Sequence, residues 1–240
     1  MNTSQQRVAI VTGGSSGIGA GLVAAYREHG WAVVANARKM PPADDPSILA
    51  VEGDIAEPAT AERITSAALN EFGRIDTLVN CAGIYISKAF TDYTAADYAL
   101  VTGVNLAGFW WLTQRVITEM VTAHSGHIIN FSATVAARAN TAEPAALAAI
   151  TKGGLAAVTR SLAIEYAARG IRVNAISPGV IKTPLHPADS YSPEALGGRL
   201  PPLGRAGEVS DVATAVMYLE SAPYVTGEIL HIDGGQIAGH

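Results

Sequence analysis

The chain has 240 residues, 49% of them hydrophobic and 15% charged, and a formal net charge of −5. That length suits a single α/β domain, residues 1–240, with a large core. Lysine and arginine are scattered, so nucleic acid and anionic membrane are poor partners and a small molecule is the expected one.

Short apolar runs of β-branched character alternate along the chain with segments of helical period. Strands are expected at Arg7–Val11, Ala32–Ala35, Ile48–Glu52, Thr77–Asn80, Gly126–Phe131, Arg172–Ile176 and Glu228–Ile232. Helices are expected at Ile18–His29, Pro58–Phe72, Thr94–His124 with a break near Val104 to Gly108, Pro144–Ala168 and Glu208–Leu219. The alternation calls for a doubly wound parallel sheet of about seven strands, covered by helices on both faces, with ligands collecting at the carboxyl ends of the strands. Pro41-Pro42 and Pro201-Pro202 read as loops. The single Cys81 excludes an internal disulfide framework, no apolar run reaches the length of a membrane span, and the polar start Met1 to Arg7 lacks the core of a secretory signal. A cytoplasmic protein is the expectation.

Directly after the first strand, Thr12 leads into Gly13-Gly14-Ser15-Ser16-Gly17-Ile18-Gly19, a glycine-rich turn that opens a helix. Alone such a turn is often only a tight turn. Between a first strand and a first helix it is a cradle for a pyrophosphate, which the bare backbone can approach and the helix N-terminus attracts. The second strand runs into Asn36-Ala37-Arg38-Lys39, with no carboxylate to hold a ribose 2′-hydroxyl. A guanidinium can grip a 2′-phosphate bidentately and stack on adenine, so Arg38 and Lys39 favour NADP(H) over NAD(H); the plainer reading of the pair is a solvated strand end. Asp54 offers a carboxylate to the adenine amino group and Ile55 a wall to its ring. Asn80, Ala82 and Gly83, around Cys81, bring backbone toward the ribose and nicotinamide.

Together these residues resemble the classical short-chain dehydrogenase/reductase family, over essentially the whole chain. The resemblance is carried by Thr12 to Gly19, by Asn80-Cys81-Ala82-Gly83 where the family has Asn-Asn-Ala-Gly, by Asn105, by Pro178-Gly179-Val180-Ile181-Lys182-Thr183 and by Tyr224 to Gly235. It implies a Rossmann-type fold, a homotetramer with the C-terminal segment near a subunit interface, and reversible NADP(H)-dependent hydride transfer between ketone and secondary alcohol. It also implies that Pro178, Gly179, Ile181 and Thr183 close over the nicotinamide, the backbone near Ile181 and the Thr183 hydroxyl meeting its carboxamide.

The resemblance further implies a catalytic tetrad: an asparagine that positions water, a serine that holds the substrate oxygen, a tyrosine that moves the proton, and a lysine that binds the nicotinamide ribose and lowers the tyrosine's pKa. Asn105 and Lys152 match. Ala133 stands at the serine position and Ala148 at the tyrosine position, four residues before Lys152. A lysine at i+4 would share a helix face with a phenol there and tune it, but alanine has no proton to give. In a slipped register Ser132 or Thr134 could serve; strand alternation turns Ser132 away, which leaves Thr134 as the substitute. No tyrosine lies between Thr141 and Thr151, and Tyr166 is several turns on.

Both departures are to alanine while the surrounding motifs are intact. That favours deliberate truncation of the serine and tyrosine, giving an inactive or repurposed oxidoreductase scaffold whose carbonyl reductase activity is strongly impaired. The alternative is a natural NADP(H)-binding protein with a regulatory or scaffolding role; a third reading is retained turnover, with water under Lys152 as the proton donor. Tyr85, Ile86, Phe90, Ala137, Leu185 and Tyr191 are candidates for a largely apolar substrate pocket, and Leu185 to Leu203 for a mobile lid. Trp110-Trp111 reads as packing. His29, His124, His127, His186, His231 and His240 lack metal-ligand spacing, so surface or loop roles are expected for them and no metal site.

Overall fold

A computed structural model describes residues 6–139, 143–184, 191, 196 and 201–239. Its strands are β1 (Val8–Thr12), β2 (Ala32–Ala37), β3 (Ile48–Glu52), β4 (Thr77–Asn80), β5 (Gly126–Phe131), β6 (Ile171–Pro178) and β7 (Ile229–Ile232). Its helices are α1 (Gly17–Glu28), α2 (Pro58–Phe72), α3 (Ala95–Thr102), α4 (Gly108–Ala123), α5 (Ala146–Tyr166) and α6 (Val209–Ser221). All strands pair in parallel in the order β3-β2-β1-β4-β5-β6-β7, with Val11 of β1 set against Ala35 on one side and Val79 on the other. Successive crossovers therefore run in opposite directions from β1, which opens a crevice at the carboxyl ends of β1 and β4.

The period of two along β1 explains why both sheet faces are dry. Val8 and Ile10 join a core with Ile64 of α2, Leu112 and Met120 of α4 and Ala163 of α5. Ala9 and Val11 face the other way, onto Leu22 and Tyr26 of α1 and Val212 and Leu219 of α6. A strand buried on both faces needs apolar residues at every position, which is why these strands read as unbroken runs.

The long helix expected from Thr94 to His124 is not broken. Thr94 caps α3 through a reciprocal box with Asp97, and a π-helical turn, Gly103–Ala107, carries the chain into α4. The extra residue in that turn rotates Asn105 inward to 2% exposure without stopping the helix. Trp111 packs against the core as expected, whereas its neighbour Trp110 is exposed.

His127 is not at the surface: it is 3% exposed, at the amino end of β5. The Asn174 amide is oriented by its own bonds, Oδ1 accepting from Glu228 N and Nδ2 donating to Val225 O, so the same Nδ2 donates to His127 Nε2 at 3.1 Å. On its other side the ring presents Nδ1 to Glu220 Oε2 at 3.3 Å and to Arg172 Nη2 at 3.1 Å. The Glu220 carboxylate also accepts from Tyr26 at 2.6 Å and Thr77 at 3.3 Å. Burial, only partly offset by Glu220 and reinforced by the Arg172 charge, lowers the imidazole below its usual pKa, and a doubly protonated ring would set N–H against a donor on both sides. Burial pushes the Glu220 carboxyl up, but bonds from His127, Tyr26 and Thr77 outweigh it and hold the group ionised. His29 and His124 are exposed, His231 is half-buried within β7 rather than in a loop, and His186 and His240 lie outside the described residues.

Candidate functional site

At the carboxyl ends of the strands lies a cavity of about 1300 Å³. Its phosphate end is built by the turn between β1 and α1. Gly13 has φ +72°, a left-handed conformation that suits glycine, and a Cβ there would come within 3.1 Å of the Ala82 backbone, so the turn packs directly on the segment after β4. Thr12 fastens the two: its Oγ1 accepts from Cys81 N at 3.1 Å and Ala82 N at 3.0 Å and donates to Val79 O. Ser16 precedes α1 in extended conformation with no side-chain cap, and Ser15, Ser16, Gly17 and Ile18 line the cavity. The uncapped N–H groups of the helix thus face the space where an anion would sit.

Every residue assigned to the cofactor from sequence lines this cavity except Asn80. Gly13 and Gly19 bound the turn; Arg38 and Lys39 stand at the end of β2, Asp54 and Ile55 after β3, Ala82 and Gly83 after β4, and Pro178, Gly179, Ile181 and Thr183 after β6. Asn80 itself lies behind the wall. Its amide is turned into the sheet, donating to Thr113 Oγ1 and Asn130 Oδ1, both at 2.9 Å, because the last residue of β4 packs under α4. Asn36 was not foreseen; it lines the cavity and donates to Val51 O and Gly53 O, tying the ends of β2 and β3 together.

Beyond the ends of β4 and β5 the cavity is organised around Lys152. Its Nζ donates to Phe131 O at 2.8 Å, and its own carbonyl accepts from Ser132 Oγ at 2.9 Å, so β5 grips the lysine from both ends. Burial pulls the ammonium down to about 8, against a smaller opposing effect of Cys81, whose thiol burial pushes up to about 12. Asn105 does not line the cavity: it brackets Ile84, accepting from its N at 2.8 Å and donating to its O at 3.0 Å, and also donates to Thr151 Oγ1. It acts as a clamp on the segment that carries Gly83 and Tyr85.

The two alanines sit differently. Ala133 lines the cavity, whereas Ala148 is 1% exposed and is not part of its wall. The nearby hydroxyls are committed: Ser132 to Lys152 O, Thr134 to Pro178 O at 3.2 Å, and Tyr191 to the backbone of Thr183, accepting from N and donating to O. Tyr85 and Tyr191 lie on the cavity as expected; Ile86, Phe90 and Ala137 do not, Phe90 being 76% exposed. Leu185 and most of the segment to Leu203 lie outside the described residues. Arg138, Glu143, Leu196 and Gln236 also line the cavity and have no local motif that marks them, since they are brought together from positions distant in sequence.

An uncapped helix N-terminus, a glycine cradle and cations at the end of β2 fit a dinucleotide phosphate, and define a dinucleotide-binding α/β protein. The family model described as enoyl-(acyl carrier protein) reductase matches residues 13–236. The chain is 32% identical to the 3-oxoacyl-[acyl-carrier-protein] reductase FabG of Thermotoga maritima, covering 96% of this chain and 98% of that one. It is 34% identical to 3beta-hydroxysteroid dehydrogenase 1 of Eggerthella lenta, over 95% and 93% of the two chains. Among solved structures, it superposes on 3-ketoacyl-(acyl-carrier-protein) reductase from Brucella melitensis complexed with NADH at TM-score 0.87, with 31% identity over 96% and 98% of the chains. ElxO with NADP bound gives TM-score 0.90 at 25% identity, over 98% and 100%. The chain belongs to the short-chain dehydrogenase/reductase family.

Proposed function

We propose that the chain binds NADP(H) and supports hydride transfer between the dinucleotide and a ketone or secondary alcohol only feebly, because the two hydroxyl positions beside Lys152 are alanine. The dinucleotide supplies the hydride. The observation that carries the cofactor assignment is the end of β2, where Arg38 and Lys39 stand on the cavity wall with Asn36 and no carboxylate. ElxO with NADP bound supports it; the Brucella melitensis reductase complexed with NADH shows that the fold accepts either dinucleotide. Lys152 holds the ribose, Asn105 keeps the Gly83 segment in place, and solvent protonates the substrate oxygen.

Fluorescence titration is expected to show NADPH binding about tenfold or more tighter than NADH, with Arg38→Gln combined with Lys39→Gln removing the difference. Equal affinities in the unaltered chain would overturn the assignment. Restoring the hydroxyls with Ala148→Tyr and Ala133→Ser is expected to raise NADPH oxidation by ketones by about 10²- to 10⁴-fold. Because Ala148 is covered, the tyrosine must displace its neighbours, at about 1–3 kcal/mol of stability read from urea unfolding. A folded double variant as slow as the parent across a broad ketone panel would overturn the impaired-reductase reading.

The covered position of Ala148 favours a second reading, a natural NADP(H)-binding protein whose site has settled around a small residue, over a recent truncation that would leave the phenol's space open. The exposed Trp110 of α4 and Ile150 and Ile164 of α5 support assembly with further copies, in keeping with the tetramer that the family implies.

A further inference from the structure

We propose that the substrate end of the cavity takes carbonyl compounds that carry a carboxylate, and that Arg138 is the group that holds it. The inference rests on the reading of this cavity as a carbonyl reductase site and adds the class of substrate.

Beyond β5 the chain turns tightly: Ala136 N bonds Ala133 O, and Ala137 N and Arg138 N both bond Thr134 O, at 2.9–3.0 Å. This places Arg138 one helical turn past Thr134, on the cavity wall that also holds Ala133. Its NH1 donates to Gln236 O, in the tail that follows β7. That tail is itself fixed by Asp233, which accepts from Gly235 N and Ile237 N, both at 2.9 Å. The half-buried guanidinium is therefore aimed from two sides before any ligand arrives.

Among the described residues that is the only hydrogen bond the Arg138 side chain makes, and no ion pair joins it to the Glu143 carboxylate that lines the same cavity. A guanidinium carries five N–H donors in a planar fork matched to a carboxylate. The cavity wall includes apolar Val135 and Leu196 as well as the Glu143 carboxylate, so an incoming anion meets the guanidinium as its attractive partner and Glu143 as a like charge. With Ala133 unable to grip the carbonyl oxygen, a charged anchor at the far end of the substrate supplies the orientation that the serine otherwise gives.

The competing role is a staple for the C-terminal tail, and binding measurements separate the two. With NADP⁺ present, calorimetric titration of the full chain with levulinate and its longer-chain oxo-acid homologues, each beside its methyl ester, is expected to show at least one acid bound about ten- to a hundredfold tighter than its ester. Arg138→Gln should erase that preference while leaving ester affinity within about threefold, and Arg138→Lys should recover part of it. Acids and esters bound alike by the unaltered chain would overturn the inference. So would an Arg138→Gln variant that weakens both equally and melts earlier, the mark of a staple. NADPH titration of the same proteins distinguishes the failures: retained dinucleotide binding without acid preference sinks this inference alone, and no dinucleotide binding in the unaltered chain sinks the reading beneath it.

Discussion

Replacing Glu220 with alanine is expected to destabilise the fold by about 3–5 kcal/mol, the usual cost of removing one partner from a buried charged network. Glu220 accepts from Tyr26, Thr77 and His127, groups on α1, β4 and β5, while it sits on α6 itself. Its loss leaves the buried Tyr26 and Thr77 hydroxyls without their acceptor, and leaves Arg172, which approaches the same imidazole at 3.1 Å, without the carboxylate beside it. Urea unfolding at neutral pH measures the effect; a cost below about 1 kcal/mol would show that the network does not tie these elements together. Glu220→Gln, which keeps an acceptor for Tyr26, should cost less.

The same network makes the fold acid-sensitive. His127 has a folded pKa below its ordinary 6.5, so the unfolded chain binds a proton that the folded chain refuses, and stability falls as the pH drops from about 6.5 toward the lowered folded value. Glu220, also held below its ordinary 4.5, adds a loss that begins as the pH passes beneath that value and is complete below the folded pKa. Both act in one direction, and stability from this cluster is fully present only above about pH 6.5. Unfolding of a His127→Asn variant should show a flatter decline from pH 7 to 5 than the parent; an equally steep decline would place the acid sensitivity elsewhere.

Gly19→Ala is expected to weaken dinucleotide binding about 100-fold, the order that a displacement of about 1 Å costs where geometry is this tight. The backbone at Gly19 is not left-handed, so the cost comes from space rather than strain. A Cβ would fall well inside contact distance of Gly13 O, 2.6 Å from the Gly13 carbonyl carbon and 3.1 Å from Gly14 N. These are backbone atoms of the cradle, with no flexible side chain to swing aside. The first turn of α1 must therefore retreat, taking its N–H groups from the phosphate. NADPH fluorescence titration, with circular dichroism to confirm that the sheet survives, gives the answer. Affinity within about threefold of the parent would mean that the cradle is not where the phosphates sit.

The strands were legible because burial on both faces writes itself as unbroken apolar runs, and β3, β4 and β5 begin and end where those runs do. The π turn at Gly103–Ala107 was not legible as a turn: a single extra residue shifts the helical phase without adding any breaker beyond Gly103 and Gly108, so the pattern suggested a break. The role of the Asn80 side chain was hidden for a different reason: it answers to Thr113 and Asn130, which are 33 and 50 residues away in sequence. Arg138 and Gln236 meet across 98 residues, a contact for which no local spacing gives a signal. His127 was judged by ligand spacing alone, a criterion blind to the carboxylate that α6 brings over the sheet.

The double grip of β5 on Lys152 has a consequence for how chains of this kind diverge. Because Phe131 O and Ser132 Oγ hold the lysine, its position does not depend on what stands four residues earlier. The placement of the lysine and the identity of the residue one helical turn before it are mechanically uncoupled, so the second can change while the first persists. If Lys152 holds the dinucleotide as proposed, then affinity for it and rate of turnover are set by separate parts of the chain, and a measurement of one does not report the other.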